Sequence, residues 1–184
     1  FDASIVQVFG TLSAGGCLCI APDTALKEDL PGLVRSMQVE IVNVTPTVAR
    51  LLVDEKLESL TDVILGGESF GPDLRDRLLR NGIRRVSNHY GPAECTVEVT
   101  RNVMDARSVG IGRIPLGKVF GDNIAVVVDE HLRPLPYGAT GELCIGGPQV
   151  SPGYLSRGDL NAKAFALVET TPGHRERGYR TGDI

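Results

Sequence analysis

Up to about residue 92 the chain alternates short apolar runs with amphipathic stretches, the pattern of β-α-β units around a largely parallel sheet. Residues 4–13 place Ile5, Val8, Phe9 and Leu12 on one helical face, and Cys17–Ala21 reads as a buried strand. A helix is expected over residues 31–38, with Pro31 suited to a first helical position, and the β-branched run Glu40–Thr45 is the next strand. Pro46 opens a helix to about Asp54, and Asp62–Leu65 is a strand. Pro72–Arg80 is a helix stopped by Gly82, followed by a strand at Arg85–Ser87. Beyond residue 108 the texture changes to strands punctuated by glycine and proline. These are Ile124–Val128, a turn at Asp129–Arg133 and then Glu142–Ile145, with a helix over about Asp159–Phe165. The expected class is α/β: a partial doubly wound sheet over residues 1–111, then a β-rich subdomain over 112–184.

Composition narrows the possibilities. The 184 residues are 42% hydrophobic and 23% charged, the balance of a globular domain able to bury a core. A net charge of -4, with acids and bases mixed along the chain and no basic block, argues against nucleic acid as a partner. No apolar run approaches the roughly 20 residues that span a bilayer, and no leader-like segment opens the chain. No membrane partner is expected, and the expected location is cytoplasmic. Cys17, Cys19, Cys95 and Cys144 form no C-x-x-C pair and read as reduced core residues. The chain starts at Phe1 without an initiator Met and stops at Ile184 just after Tyr179–Asp183 with no closing helix, which reads as an internal piece of a longer protein.

Two catalytic patterns compete for attention. Gly67-Glu68-Ser69-Phe70-Gly71 is formally G-x-S-x-G between a strand and a helix, so Ser69 could be a hydrolase nucleophile. His131 or His174 would then be its base and Asp122 or Asp129 the acid. Pro72 opposes this reading, because a nucleophile elbow runs directly from the serine into its helix, whereas Gly71-Pro72 calls for a loop first. Gly110–Lys118 ends in Gly-Lys, but Val119 stands where a phosphate loop needs Ser or Thr, and the segment reads as a turn-rich connection.

Three other segments carry more chemistry: Asn88–Glu94 (NHYGPAE), Gly141–Leu155 (GELCIGGPQVSPGYL) and Tyr179–Ile184 (YRTGDI). Tyr90 is an aromatic plate leaving a strand end, where α/β folds bind ligands, and Gly91-Pro92 turns the chain beside it. Glu94 offers a hard carboxylate suited to Mg2+ on phosphate oxygens, and Asp183 after Gly182 can accept both hydroxyls of a ribose. Taken singly, these residues are equally well a core-edge tyrosine, a solvated glutamate and a turn aspartate.

Together, in this order and at these separations, the segments resemble the adenylation domains of nonribosomal peptide synthetases, in the superfamily that also holds acyl-CoA ligases and luciferases. Phe1-Asp2-Ala3-Ser4 and Leu65-Gly66-Gly67-Glu68 match two further motifs, so the resemblance spans essentially the whole chain. It implies the adenylate-forming fold, whose β-rich subdomain is a distorted barrel. It also implies attack of a carboxylate on the α-phosphorus of ATP, release of pyrophosphate, and transfer of the acyl group to a phosphopantetheine thiol. ATP and Mg2+ are the implied cofactors, carrier (thiolation) and condensation domains the implied partners, and secondary-metabolite synthesis the implied setting. Residue by residue, Tyr90 would stack on adenine, and Gly67, Glu68, Asn88, Gly91 and Ala93 would line the nucleotide. Glu94 would be the catalytic metal ligand, and Asp183 would hold the ribose. Ala93 stands where the family has Thr, which removes a hydroxyl donor to the α-phosphate.

Asp2 would receive the α-ammonium of an amino-acid substrate, which separates this chain from acyl- and aryl-CoA ligases, the main alternative. Ala3, Val6, Asn43, Ile64, Gly66, His89, Val97 and Glu98 would line the side-chain pocket. Glu98 is the one acid among them, and an unpaired buried carboxylate is costly. A basic or amide-bearing substrate side chain, or a medium-sized polar one if His89 pairs with Glu98, is therefore the expected guest. The family's upstream phosphate loop and the lysine of its C-terminal domain lie outside these residues, so the isolated piece is expected to be inactive.

Overall fold

The computed structural model describes residues 2–171 and 173–184, so Phe1 of the opening motif lies outside the described residues. Two compact units emerge, each made of two chain segments. The first comprises Phe1–Tyr90 with Thr100–Lys118, the second Gly91–Val99 with Val119–Ile184.

The first unit is built on a sheet in the order β1 (Ile41–Val44), β2 (Asp62–Gly66), β3 (Arg85–Tyr90), β4 (Thr100–Met104) and β5 (Lys118–Val119). β1, β2 and β3 are parallel, whereas β4 runs antiparallel to β3. The sheet is thus mixed rather than largely parallel: the short excursion from Tyr90 to Thr100 returns the chain beside β3 without a crossover helix. Strand alternation divides its faces. Val42, Val63, Leu65, Val86 and Met104 point into the core with Ala49, Leu52, Leu74 and Leu78.

Local sequence explains the helices on that face. Asp29 caps α4 (Leu30–Ser36), following α3 (Asp23–Glu28), by accepting from the Gly32 amide at 2.8 Å. Thr45 caps α5 (Pro46–Ala49) through Val48 N. α6 (Pro72–Arg80) matches the expected bounds. Pro72 opens it, Asp73 lies in its first turn and Arg77 and Arg80 in its last, and Leu74 and Leu78 sit one turn apart on the buried side. Gly82 follows at φ +100°, the left-handed stop that glycine takes most easily.

The chain start departs from expectation. Residues 3–13 are helical, but as α1 (Ala3–Ile5), a π-helical stretch Val6–Gly10 and α2 (Thr11–Ser13). Of the apolar face that predicted this helix, Ile5, Phe9 and Leu12 are exposed and only Val8 is half-buried. Cys17–Ala21 is not a strand: it forms no ladder, and Ile20 is 77% exposed. Cys17 and Cys19 are exposed, while Cys95 and Cys144 are buried, which corrects the reading of all four as core residues. The buried thiols titrate high, Cys95 at about 12 and Cys144 at about 11, because burial disfavours the thiolate.

Gly110–Lys118 is the irregular connection expected, and its course is set by buried polar groups. Arg75, 1% exposed, pairs with Asp76 and donates to Ile111 O, while Asp76 accepts from Gly110 N. Thr100 Oγ1 and Asn88 Nδ2 donate to Leu116 O and Pro115 O. Gly117 sits at φ +94°, where a Cβ would lie 2.1 Å from Arg101 O, so no other residue fits.

The second unit carries an antiparallel sheet in the order β6 (Ile124–Val128), β7 (Glu142–Gly146), β9 (His174–Arg180) and β8 (Phe165–Thr171). α7 (Gly158–Ala164) leads into β8. Val128, Cys144 and Val168 form one buried cluster, and Cys95, Val99, Ile145 and Phe165 are buried in this unit as well. The turn after β6 closes on Asp129, whose carboxyl accepts the His131 and Arg133 amides and the Arg133 guanidinium. Those bonds hold it down at about 2.

Candidate functional site

In the first unit, register decides which side chains share a surface. Asn43 pairs with Ile64, and Gly66 with His89, so these four expected pocket residues lie on one face of the sheet, opposite the apolar core. They sit toward the carboxyl ends of the parallel strands, where open α/β sheets bind ligands. A Cβ on Gly66 would come 3.0 Å from His89 O, so glycine permits this close passage of β2 past β3. Gln7 in the π-helical stretch donates to Asn43 O at 2.8 Å, which ties the helical start to β1. Asp2 precedes α1, Ala3 opens it and Val6 follows it, all half-buried. Asn43 Nδ2 is buried with no hydrogen-bond partner among the described residues, which leaves the desolvation of that donor uncompensated by them.

The nucleotide candidates of this unit divide. Tyr90 ends β3 and is half-buried, as a strand-end aromatic plate should be. Asn88 points to the other face: it is 7% exposed and donates to Pro115 O at 3.1 Å, so its amide braces the loop beyond residue 110. Gly67, at φ +80°, turns the chain out of β2. Glu68 accepts from Thr47 Oγ1 at 2.6 Å and Thr47 N at 3.1 Å, and these bonds hold its carboxyl below the usual range. Residues 67–71 form an open loop with Ser69 exposed, and α6 starts only at Pro72, so the sharp turn of a nucleophile elbow is not made.

In the second unit, Ala93–Cys95 forms a 3-10 turn, with Ala93 exposed and Glu94 half-buried. Tyr154 donates its hydroxyl to Glu94 Oε1 at 2.5 Å and in turn accepts from Tyr179. The bond to Glu94 raises the Tyr154 pKa; burial foremost, and then the bond to Tyr154, raise that of Tyr179. Ser151 N reaches Glu94 O at 2.7 Å. Two segments distant in sequence, NHYGPAE and GELCIGGPQVSPGYL, are thus bonded to each other through Glu94. Asn161 of α7 holds Tyr154 in place, accepting from its amide at 2.7 Å and donating to its carbonyl at 2.9 Å. Phe165 packs against Tyr154 and Tyr179, with Arg177 over its ring. Arg177 also donates to Ser151 O and Pro152 O.

Val97 and Glu98 follow the same turn. Thr96 and Val97 are both left-handed, at φ 58° and 72°, and Gly91 lies so close to them that a Cβ there would be 2.5 Å from Val97 O. Asp183 lies beside β7, exposed, with its carbonyl accepting Leu143 N at 2.9 Å and its amide bonded to Thr181 Oγ1. Gly182 N reaches Glu142, which also pairs with Arg180. Among the described residues no three His, Cys, Asp or Glu side chains gather as a metal cluster, and no helix is long and apolar enough to cross a membrane. A single carboxylate such as Glu94 matches Mg2+, which takes one or two protein oxygens and completes its shell from phosphates and water.

Sequence reasoning missed Tyr154, Gln149, Asn161, Arg177 and Thr47. The first two stand inside a segment already singled out, but no spacing rule relates them to Glu94 or Glu98.

A mixed sheet with candidate binding side chains toward its strand ends and a carboxylate turn clamped from a Gly-Tyr-Leu segment are the features to be matched, and known proteins specify the class. The AMP-binding enzyme family model matches residues 1–155, and the chain belongs to that family. Over its whole length it is 40% identical to nonribosomal peptide synthetase sidE of Aspergillus fumigatus, of which it covers 8%. The Vibrio cholerae adenylation domain AlmE, solved in complex with glycyl-adenosine-5'-phosphate, superposes with a TM-score of 0.84 at 28% identity, over 99% of this chain and 35% of that one. The four-domain nonribosomal peptide synthetase AB3403, bound to AMP and glycine, gives a TM-score of 0.86 at 29% identity, over 99% and 14%. The chain spans less than a tenth of the length of its first curated relatives.

Proposed function

We propose that this chain forms part of an amino-acid-activating domain that converts an amino acid and ATP to aminoacyl-AMP and pyrophosphate, and then loads a phosphopantetheine carrier domain, in nonribosomal peptide synthesis. The observation that carries the reading is the shared surface of Asn43, Ile64, Gly66 and His89 at the strand ends, in a chain aligned throughout with such synthetases. In this reading Asp2 receives the α-ammonium, so that its charge is neutralised by the substrate itself. Tyr90 stacks on adenine, a contact of about 1–3 kcal/mol. Gly67 and Glu68 pass along the adenine edge, Gly91 and Ala93 adjoin the phosphates, and Asp183 accepts the ribose hydroxyls.

Asn88 acts here by bracing the loop at Pro115, which keeps β3 and its terminal Tyr90 in place. Glu94 would hold Mg2+, which supplies charge neutralisation at the phosphates when bound. Tyr154 orients the carboxylate by donating to Oε1. Ala93 brings no side-chain donor, so any protein bond to the α-phosphate at this position comes from its backbone N–H. Carrier and condensation domains are the partners this reading requires, and its location is cytoplasmic.

The test is amino-acid-dependent exchange of pyrophosphate into ATP by the full-length protein across an amino-acid panel. Exchange is expected with one or a few amino acids, and Glu94→Gln should lower it roughly a hundredfold or more, as loss of one preorganised charge contact does. No exchange with any amino acid, or a Glu94→Gln variant as active as the parent, would contradict the proposal.

A further inference from the structure

The turn that carries Val97 and Glu98 is held in an unfavourable backbone conformation by one amide side chain. Among the described residues Thr96 and Val97 are the only adjacent non-glycine pair at positive φ, and both are β-branched, the residue class least suited to it. Gln149 lies over them. Its Nε2 is 3.3, 3.1 and 3.1 Å from the carbonyl oxygens of Cys95, Thr96 and Glu98, so two N–H groups are shared among three acceptors of one turn. Its own backbone carbonyl accepts from Thr96 Oγ1 at 2.9 Å. Gln149 cannot rotate its amide without loss, because Oε1 accepts from Asn123 Nδ2, which also donates to Phe120 O at 2.9 Å. Asn123 is itself 6% exposed.

From this geometry we infer that Gln149 is a positioning residue for substrate selection, clamping the left-handed turn so that Val97 and Glu98 keep fixed side-chain directions. The inference rests on the proposed amino-acid-activating function and deepens it. The polar atoms of the Gln149 side chain are engaged within the chain. Its three acceptors belong to the turn, and the fully buried Cys95 and Val99 that flank the turn stay in place when the amide is removed. Removing the clamp should therefore loosen the choice of amino acid before it loosens the fold. Asn123 contributes at one remove by fixing which way the Gln149 amide faces.

The experiment uses the full-length protein with Gln149→Met, which keeps length and volume but has no N–H donors. Pyrophosphate exchange is measured against amino-acid and ATP concentration and across the amino-acid panel. The KM for the preferred amino acid should rise about tenfold while that for ATP moves less than about twofold, and discrimination against neighbouring amino acids should fall by about tenfold. Adding Thr96→Gly, which adopts the left-handed backbone without a clamp, should restore part of the selectivity. Asn123→Ala should shift the same quantities in the same direction by a smaller factor, and serves if Gln149→Met does not fold. An independent readout is native-state alkylation of Cys95, buried in the same turn, against Cys144 in the sheet: only Cys95 should react faster in the variant.

Equal changes in both KM values with an unchanged panel, or equal acceleration at both cysteines, would make Gln149 a merely structural residue and overturn the inference. So would a Gln149→Met protein with the parent's KM and panel. A parent that shows no amino-acid-dependent exchange at all would instead defeat the proposed function beneath it.

Discussion

The two units hold their candidate site residues by different means. In the first, Asn43, Ile64, Gly66 and His89 are carried on strands whose opposite face is packed against Leu74, Leu78, Leu52 and Ala49, and Tyr90 ends one of those strands, so apolar burial positions them through the backbone. In the second, the turn that carries Glu94, Val97 and Glu98 is fixed by discrete hydrogen bonds from Tyr154, Ser151 and Gln149. Burial is non-directional and tolerates exchange of apolar residues of similar volume, whereas a clamp depends on individual donor atoms. Single polar substitutions should therefore disturb the second set locally and leave the first untouched.

The largest expected contrast comes from Leu78→Ala, which empties a fully buried position beneath the first sheet. Thermal or denaturant unfolding of the domain in the full-length protein should show a loss of about 2–5 kcal/mol, the cost of such a cavity. A loss well under 1 kcal/mol would mean that packing does not hold this sheet as described. Tyr154→Phe removes the donor to Glu94 but keeps the ring that packs on Phe165. A bond to a charged group is worth about 1.5–3 kcal/mol at most when partly buried, so stability should fall by less than for Leu78→Ala. The Mg2+ concentration giving half-maximal exchange should nevertheless rise, because the carboxylate loses its anchor. An unchanged Mg2+ dependence would break the second half of the comparison.

The smallest effect is chemical rather than energetic. With their thiols pushed to about 12 and about 11 by burial, Cys95 and Cys144 should resist iodoacetamide at pH 8 until the domain unfolds, because the thiolate is the nucleophile. Mass-spectrometric detection of rapid native-state modification at Cys95 would show that the turn is not held closed.

The same contrast explains what could be read from the chain. β6 and α6 were legible to the residue, since IAVVV and Pro72–Arg80 carry period, caps and flanking turns that all agree. Asp62–Gly66 and Ile41–Val44 were found within a residue or two for the same reason. Cys17–Ala21 looked like a strand because its residues are apolar, yet pairing requires a neighbour that local composition does not disclose. The antiparallel return of β4 was invisible for a related reason: direction is set by the tertiary path of residues 91–99, not by the pattern of Thr100–Met104. Of the candidate site, the strand-end position of Tyr90 and the turn carrying Glu94 were legible from Asn88–Glu94, whereas the bond from Asn88 to Pro115 O was not. The Tyr154 and Gln149 bonds span 60 and about 50 residues, and no periodicity encodes such a meeting.

The central claim, that an amino acid is the substrate and Asp2 receives its ammonium, is tested most directly by pairing each amino acid with its des-amino carboxylic acid in pyrophosphate exchange by the full-length protein. The account predicts that the preferred amino acid supports exchange, that its des-amino counterpart does so at least about a hundredfold less well, and that Asp2→Ala removes most of that difference, as expected when a buried charge loses its partner. Equal exchange with the two acids, or an undiminished preference in Asp2→Ala, would contradict it.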